Sequence, residues 1–363
     1  MRIVHVVQGL GLGGQERLVV YLAQELVARG HETCIVTLSP GGAVRAEGLG
    51  VTVLDVTAAA GGAAADPGLV ARLACLLYKL KPDVLHTHDP VPMIHGVPAA
   101  ILARVRRRVH TEHAVSVHGR RRLWAMRVLM RAVDVVVAVT PEVARHARVK
   151  ERVRARRLRL VSSGVPLRAF HPDAEARTRI RRELGIDEDA FVVGSVGRLS
   201  PEKDHPALVR ALAPLLSGRL RLLVVGDGPS RPDVERAVPV GRHPFVTLTG
   251  VRSDVAALLA AMDAFVRPSS AEGIPLAVEE AMACGLPVIA ARGGELDAVV
   301  VPDLGVLVRP RDELALRSAV DALAGRPQRA RRMGELARRR AQERFSIERM
   351  TDQYERIYGG GAP

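Results

Sequence analysis

Two glutamates eight positions apart, Glu272 and Glu280, lie within the stretch best suited to chemistry, Ser269-Ser270-Ala271-Glu272-Gly273-Ile274-Pro275-Leu276-Ala277-Val278-Glu279-Glu280-Ala281-Met282-Ala283-Cys284-Gly285. It reads as an acidic loop running into a short helix. Pro275 suits the first helical position, Leu276 to Cys284 are good helix formers, and Gly285 supplies the stop. A helix start offers unpaired N–H groups and a partial positive charge, so this loop and first turn suit the phosphate oxygens of an anionic leaving group. Helix side chains lean toward the N-terminus, which lets Glu280 reach a group lying over the helix start. A carboxylate there can accept hydrogen bonds from two vicinal hydroxyls, as a ribose presents them. An isolated glutamate on a helix is more often solvent-facing, so the reading of Glu280 depends on its context.

The elements that must position such a site alternate along the chain. Ile3 to Val7 is a short apolar run suited to a buried parallel strand, followed by Gln8-Gly9-Leu10-Gly11-Leu12-Gly13-Gly14 and a helical pattern at Leu18, Leu22 and Leu26. Gly9, Gly11 and Gly14 satisfy a dinucleotide fingerprint, so an NAD-dependent oxidoreductase comes into view. The second strand argues against it, because Thr33 to Leu38 runs into Ser39-Pro40 without an acidic residue for an adenosine ribose. The alternation continues through Val51 to Val56, Leu69 to Leu80 and Asp83 to Asp89, and it predicts doubly wound parallel sheets that bind ligands at strand C-terminal ends. His86 and His88 stand at such an end, where packing or hydrogen bonding is the ordinary role. His110 and His113 lack a Cys or carboxylate at a spacing that would complete a zinc site. Asp187 and Asp189 read as a solvated turn, and no metal and no organic cofactor are expected.

At 363 residues the chain suits two domains, each able to bury its own core. No run of about 18 apolar residues exists, and the start enters a strand without a basic leader, so a cytoplasmic location is expected. Cys34, Cys75 and Cys284 fall in apolar segments and read as small core residues. The net charge of +14 favours anionic partners, while an aromatic content of 3% without zinc, RNP or GXXG signatures argues against nucleic acid. Lysine occurs only at 79, 81, 150 and 203, the other basic residues being arginine, a composition that a GC-rich genome also produces.

The Glu272–Glu280 segment resembles the signature of retaining nucleotide-sugar glycosyltransferases of family 4, and the rest of the chain repeats that family's pattern. Gly197-Arg198-Leu199 with Glu202-Lys203-Asp204 resembles its Gly-Arg-Leu…Glu-Lys-Gly motif, with Asp204 in place of the glycine. Leu222 to Pro229 resembles its Gly-x-Gly-Pro strand end, and Gly250 to Asp254 the region that holds the nucleotide base around Val251. Ser163-Gly164-Val165-Pro166 with Phe170-His171-Pro172 is similar to the interdomain link. Gly293 to Asp297 resembles Gly-Gly-x-Pro-Glu, and Arg267 stands where an apolar residue is usual.

The resemblance implies an α/β protein of two Rossmann-like domains facing across a cleft (GT-B): residues 1–165 for the acceptor, 166–345 for the nucleotide-sugar donor, and 346–363 as a helix crossing back to the first domain. It implies a retaining, metal-independent transfer of a sugar from a nucleotide diphosphate sugar to a hydroxyl. Glu272 would position the sugar, the backbone of Gly273, Ile274, Pro275 and Leu276 would bind phosphate, and Glu280 the ribose. Arg198 and Lys203 would neutralise the departing diphosphate. His113, in a Thr-x-His pattern with Thr111, would touch the sugar, and Gly13 and Gly14 would border the diphosphate and acceptor.

Residues 119 to 133 carry a further feature. Leu123, Met126, Leu129, Met130 and Val133 form a core stripe on a helical wheel, whereas Trp124 and Val128 fall beside Arg120, Arg127 and Arg131. That outward face suits contact with an anionic membrane, and ordinary surface packing suits it equally. The leading expectation is therefore a transferase of cell-surface polysaccharide or glycolipid synthesis, with a lipid-linked acceptor. The alternatives are a tailoring enzyme for soluble small molecules and a non-catalytic nucleotide-sugar binder.

Overall fold

The computed structural model describes residues 1–11, 13–39, 50–56, 66–115, 119–269, 275–294 and 296–360. They form two compact units. One comprises Met1–Gly164 with Ile347–Pro363, the other Val165–Ser346.

In the first unit seven parallel strands, β1 (Arg2–Val7), β2 (Glu32–Thr37), β3 (Thr52–Asp55), β4 (Val84–His88), β5 (Arg107–Glu112), β6 (Val135–Ala138) and β7 (Leu158–Leu160), lie in the order β3-β2-β1-β4-β5-β6-β7. Continuous apolar runs such as Ile3 to Val7 suit strands covered on both faces. Local signals set the intervening helices. Asp66 accepts the Gly68 N–H to start Pro67–Leu80, which buries Leu69, Leu73 and Leu77 and stops where Lys81 adopts φ 47°. Thr140 caps Pro141–Val149 in the same way. The closing helix Ile347–Tyr358 packs on the opening helix Gly14–Ala28. Arg29 clasps Asp352 at 2.6 Å and Glu355 at 2.7 Å across that contact.

The second unit repeats the theme. Strands β8 (Phe191–Val196), β9 (Leu220–Val225), β10 (Val246–Leu248), β11 (Ala264–Arg267), β12 (Val288–Ala291) and β13 (Gly305–Val308) lie parallel in the order β10-β9-β8-β11-β12-β13. In both sheets the strand order reverses beside the first strand, between β1 and β4 and between β8 and β11. Ligands of doubly wound sheets bind outside the strand C-termini at such switch points.

Two glycines hold the β8 and β9 ends together. A Cβ on Gly226 would lie 2.0 Å from the Gly197 carbonyl oxygen, and one on Gly228 would lie 2.3 Å from that of Leu199. The turn after β8 donates to the end of β9 twice, Gly197 N–H to Val225 O at 3.0 Å and Leu199 N–H to Asp227 O at 2.9 Å. Gly226 also has φ 135°, open to glycine alone. Gly226→Ala is therefore expected to cost about 2–4 kcal/mol, measured as a fall in denaturation midpoint.

Three sequence expectations need correction. The helix read over 119–133 ends at Leu129, so Met130 and Val133 are buried from the turn beyond it. Pro275 sits one residue outside the helix Leu276–Ala283 as its cap. Cys75 is exposed, because Leu73 and Leu77 already fill the core face of its helix.

Candidate functional site

The first unit gathers its site at the ends of β1, β4 and β5. Asp89 follows β4 with φ 65°, an uncommon conformation for a residue other than glycine. That turn aims its carboxylate at two other elements. Oδ1 accepts the His113 N–H at 3.1 Å just past β5, and the other oxygen accepts from the Gln15 amide. Gln15 belongs to the first turn of the helix that Gly13 caps and Gly14 opens. Asp89 thus ties the glycine turn to His113, a role no sequence motif announced. Its carboxyl is pushed up to about 6, chiefly by burial and then by the Glu112 charge.

Behind His113 lies a run of buried histidines. His113 Nε2 is 3.0 Å from His88 Nδ1, and His88 Nε2 is 3.1 Å from His5 Nδ1. His86 is held separately, with Nε2 2.7 Å from the Thr111 hydroxyl and Nδ1 2.8 Å from that of Tyr358. Burial pulls His5 and His113 down to about 3 and His86 and His88 well below their usual value, so all four rings are neutral near pH 7. On the other side of β5, His110 bridges Thr87 and the Glu112 carboxylate.

The second unit gathers its site at the ends of β8 and β11. Asp204 adopts φ 50° and so takes the left-handed turn that the replaced glycine would supply, which leaves Lys203 at the end of the 3-10 turn Pro201–Lys203. Lys203 is half-buried and pushed down to about 8 by burial and then by the neighbouring Arg267 charge. Arg267 ends β11, is itself buried, and is influenced in turn by Glu279. The cation at 267 and the buried carboxylate at 279 were missed as site residues, since Arg267 departs from a motif instead of matching one and Glu279 read only as part of its helix. Glu280 is wholly buried on the helix Leu276–Ala283, which disposes of the solvent-facing alternative. Arg198, by contrast, is 59% exposed in its side chain and pairs with Glu202 at 3.3 Å. Gly226 N–H donates to Gly250 O at 2.9 Å, which brings exposed Val251 beside the β9 turn. Glu272, Gly273 and Ile274 lie outside the described residues.

The basic face has its own geometry. Trp124 is 67% exposed, and it borders a cavity of 480 Å³ with Arg127, Arg131, Arg152 and Arg154. Arg127 donates twice to the Lys150 carbonyl. The buried Glu151 also lines the cavity, pushed up to about 7 by burial and then by Glu112. The Arg120 side chain is outside the described set. Among the described residues no helix is long and apolar enough to cross a membrane.

Two parallel-sheet α/β domains in one chain match the GT-B glycosyltransferase architecture. Residues 12–169 match the family model described as Glycosyltransferase Family 4, and residues 190–326 the one described as Glycosyl transferases group 1. The chain belongs to this glycosyltransferase family and transfers a sugar from a nucleotide sugar. Among similar proteins, a GDP-mannose-dependent alpha-(1-6)-phosphatidylinositol dimannoside mannosyltransferase of Mycobacterium tuberculosis is 29% identical over 94% of this chain and 92% of its own. A GDP-mannose-dependent alpha-(1-6)-phosphatidylinositol monomannoside mannosyltransferase of Mycolicibacterium smegmatis is 32% identical over 66% of this chain and 68% of its own. In fold, Anabaena Alr3699/HepE in complex with UDP and glucose superposes with a TM-score of 0.84 at 22% identity, covering 99% of this chain and 100% of that one.

Proposed function

We propose that this protein is a retaining, metal-independent transferase that moves a sugar from a nucleotide diphosphate sugar to a hydroxyl of a lipid-linked or polysaccharide acceptor in cell-surface glycan synthesis. The observation that carries it is the cluster at the β8/β11 switch point. There, half-buried Lys203, buried Arg267 and the start of the helix that carries buried Glu280 offer positive potential and a diol acceptor to one nucleoside diphosphate. Lys203 and Arg198 meet the diphosphate with the backbone of 273–276, Glu280 the ribose, and Val251 the base through its backbone. Glu272 and His113 meet the sugar, and Gly13 and Gly14 border the acceptor. The anomeric C–O bond to the diphosphate breaks and the acceptor oxygen bonds to the same face of that carbon. The acceptor's proton passes to the leaving phosphate oxygen.

The lipid-linked acceptor is supported by the relatives' phosphatidylinositol substrates and by the exposed Trp124 beside arginines at 127 and 131, a face suited to peripheral contact with an anionic membrane on its cytoplasmic side. The test is thermal shift against UDP-, GDP-, ADP- and dTDP-sugars and NAD(P), with and without EDTA. One nucleotide sugar at tens of Kd is expected to add about 2 kcal/mol, unaffected by chelation. Stabilisation by NAD(P) alone, or by no nucleotide, would sink the reading. Proton coupling at the product's anomeric carbon then reports retention or inversion.

A further inference from the structure

Three imidazoles in a row, each neutral and each with one N–H, can share their hydrogens in only two senses. In one sense His5 Nδ1 donates to His88 Nε2, His88 Nδ1 donates to His113 Nε2, and His113 Nδ1 keeps an N–H. In the other sense every bond reverses, His113 Nδ1 becomes a bare lone pair, and His5 Nε2 carries the N–H. The two end atoms, His5 Nε2 and His113 Nδ1, are buried and have no hydrogen-bond partner among the described residues. The rings stack along the run, with centroids 5.3 Å apart for His5 and His88 and 5.2 Å for His88 and His113. A buried donor without a partner is rarer than a buried acceptor without one. Either sense leaves one N–H and one lone pair at these two ends. Once a sugar oxygen accepts from His113 Nδ1, the first sense strands only the lone pair at His5, whereas the second would strand the His5 N–H.

We propose that His88, backed by His5, is a positioning residue for His113. The chain holds the His113 ring and fixes it as the Nδ1–H tautomer, so that it donates to a sugar hydroxyl oxygen without acquiring charge. This rests on the reading of His113 as sugar-facing. The fourth histidine does not join the run, since both of its nitrogens are taken by Thr111 and Tyr358.

Two substitutions at one position separate the halves of the chain. An asparagine amide sits where His88 Nδ1 does, and a glutamine amide where Nε2 does. His88→Asn therefore keeps the donor to His113 and loses the bond to His5, while His88→Gln does the reverse. The experiment combines ¹⁵N NMR of histidine-labelled protein, steady-state kinetics with the nucleotide sugar, and inhibition by the free nucleoside diphosphate. In the wild type, His5, His88 and His113 are expected as Nδ1–H tautomers, the less common form in free histidine. His88→Gln is expected to move His113 to the Nε2–H form and raise KM for the donor about tenfold, the worth of one hydrogen bond, without changing inhibition by the diphosphate. His88→Asn is expected to keep the His113 tautomer and stay within about threefold of the wild-type KM.

Equal losses in both variants, or a wild-type His113 in the Nε2–H form, would overturn the proposal. So would a stoichiometric metal ion in the purified protein, because ligand atoms of His5, His86 and His88 lie within 4.8 Å of one another. Should the wild type bind no nucleotide sugar, the reading of function falls, and the tautomer spectra still decide the chain.

Discussion

Lys203→Ala is expected to lower kcat/KM for the nucleotide sugar by about 10²- to 10³-fold, the usual cost of removing one fixed group from developing transition-state charge. The environment of this ammonium explains why the loss should be large. Burial and Arg267 both work against its charge, and Glu202 favours it only partly, so its pKa falls to about 8. A cation kept charged in a partly buried site is poorly screened, so it acts strongly on the charge of a departing diphosphate. The sign of the pH dependence follows. Lysine is charged below its pKa, so activity in the free enzyme should hold through neutral pH and fall as pH rises through about 8. Lys203→Arg should remove that alkaline limb while recovering part of the rate. Arg198→Ala should cost much less, since its exposed guanidinium is shared with Glu202 and open to water. Steady-state rates from pH 6 to 10 check all three variants, and a Lys203→Ala enzyme within tenfold of wild type would remove Lys203 from the site.

The alternation of apolar strands and amphipathic helices made both sheets legible, because a buried parallel strand and a helix carry different periods that no tertiary contact needs to supply. The glycine motifs were legible as motifs, but their cause was not. Gly226 and Gly228 are required by carbonyls of the neighbouring turn, some thirty residues earlier in the chain, which spacing alone does not reveal. The histidine run was half visible. His86 and His88 were placed at a strand end, yet which of them faces His113 depends on register between β4 and β5 and on Tyr358 from the far end of the chain engaging His86. Asp89 was hidden because its importance lies in a backbone angle. Arg267 read as a departure from pattern, and only its place beside Lys203 shows it to be part of the cation cluster.

Arg181→Met should be the most damaging change to the second unit, costing about 3–5 kcal/mol although it touches nothing at the switch point. The side chain is fully buried, and every arm of its guanidinium is used. Nε donates to Ala261 O at 3.0 Å, Nη1 to the carbonyls of Asp187, Glu188 and Ala190, and Nη2 to Asp263 Oδ2 at 2.6 Å. These bonds fasten the helix Ala174–Glu183 to the turns that enter β8 and β11. Asp263 completes the knot by accepting the Val192 N–H at 2.8 Å and Arg177 at 2.7 Å. Methionine fills much of the volume but takes the donor from several inward carbonyls and the charged partner from an Asp263 oxygen that keeps only the Val192 N–H, and that desolvation outweighs any gain from an apolar side chain. Arg181→Lys keeps the charge and loses the fork, so it should fall between the two. Urea unfolding followed by circular dichroism measures the loss. A midpoint unchanged in Arg181→Met would mean that the buried guanidinium is replaceable packing and that some other contact holds the entries to β8 and β11.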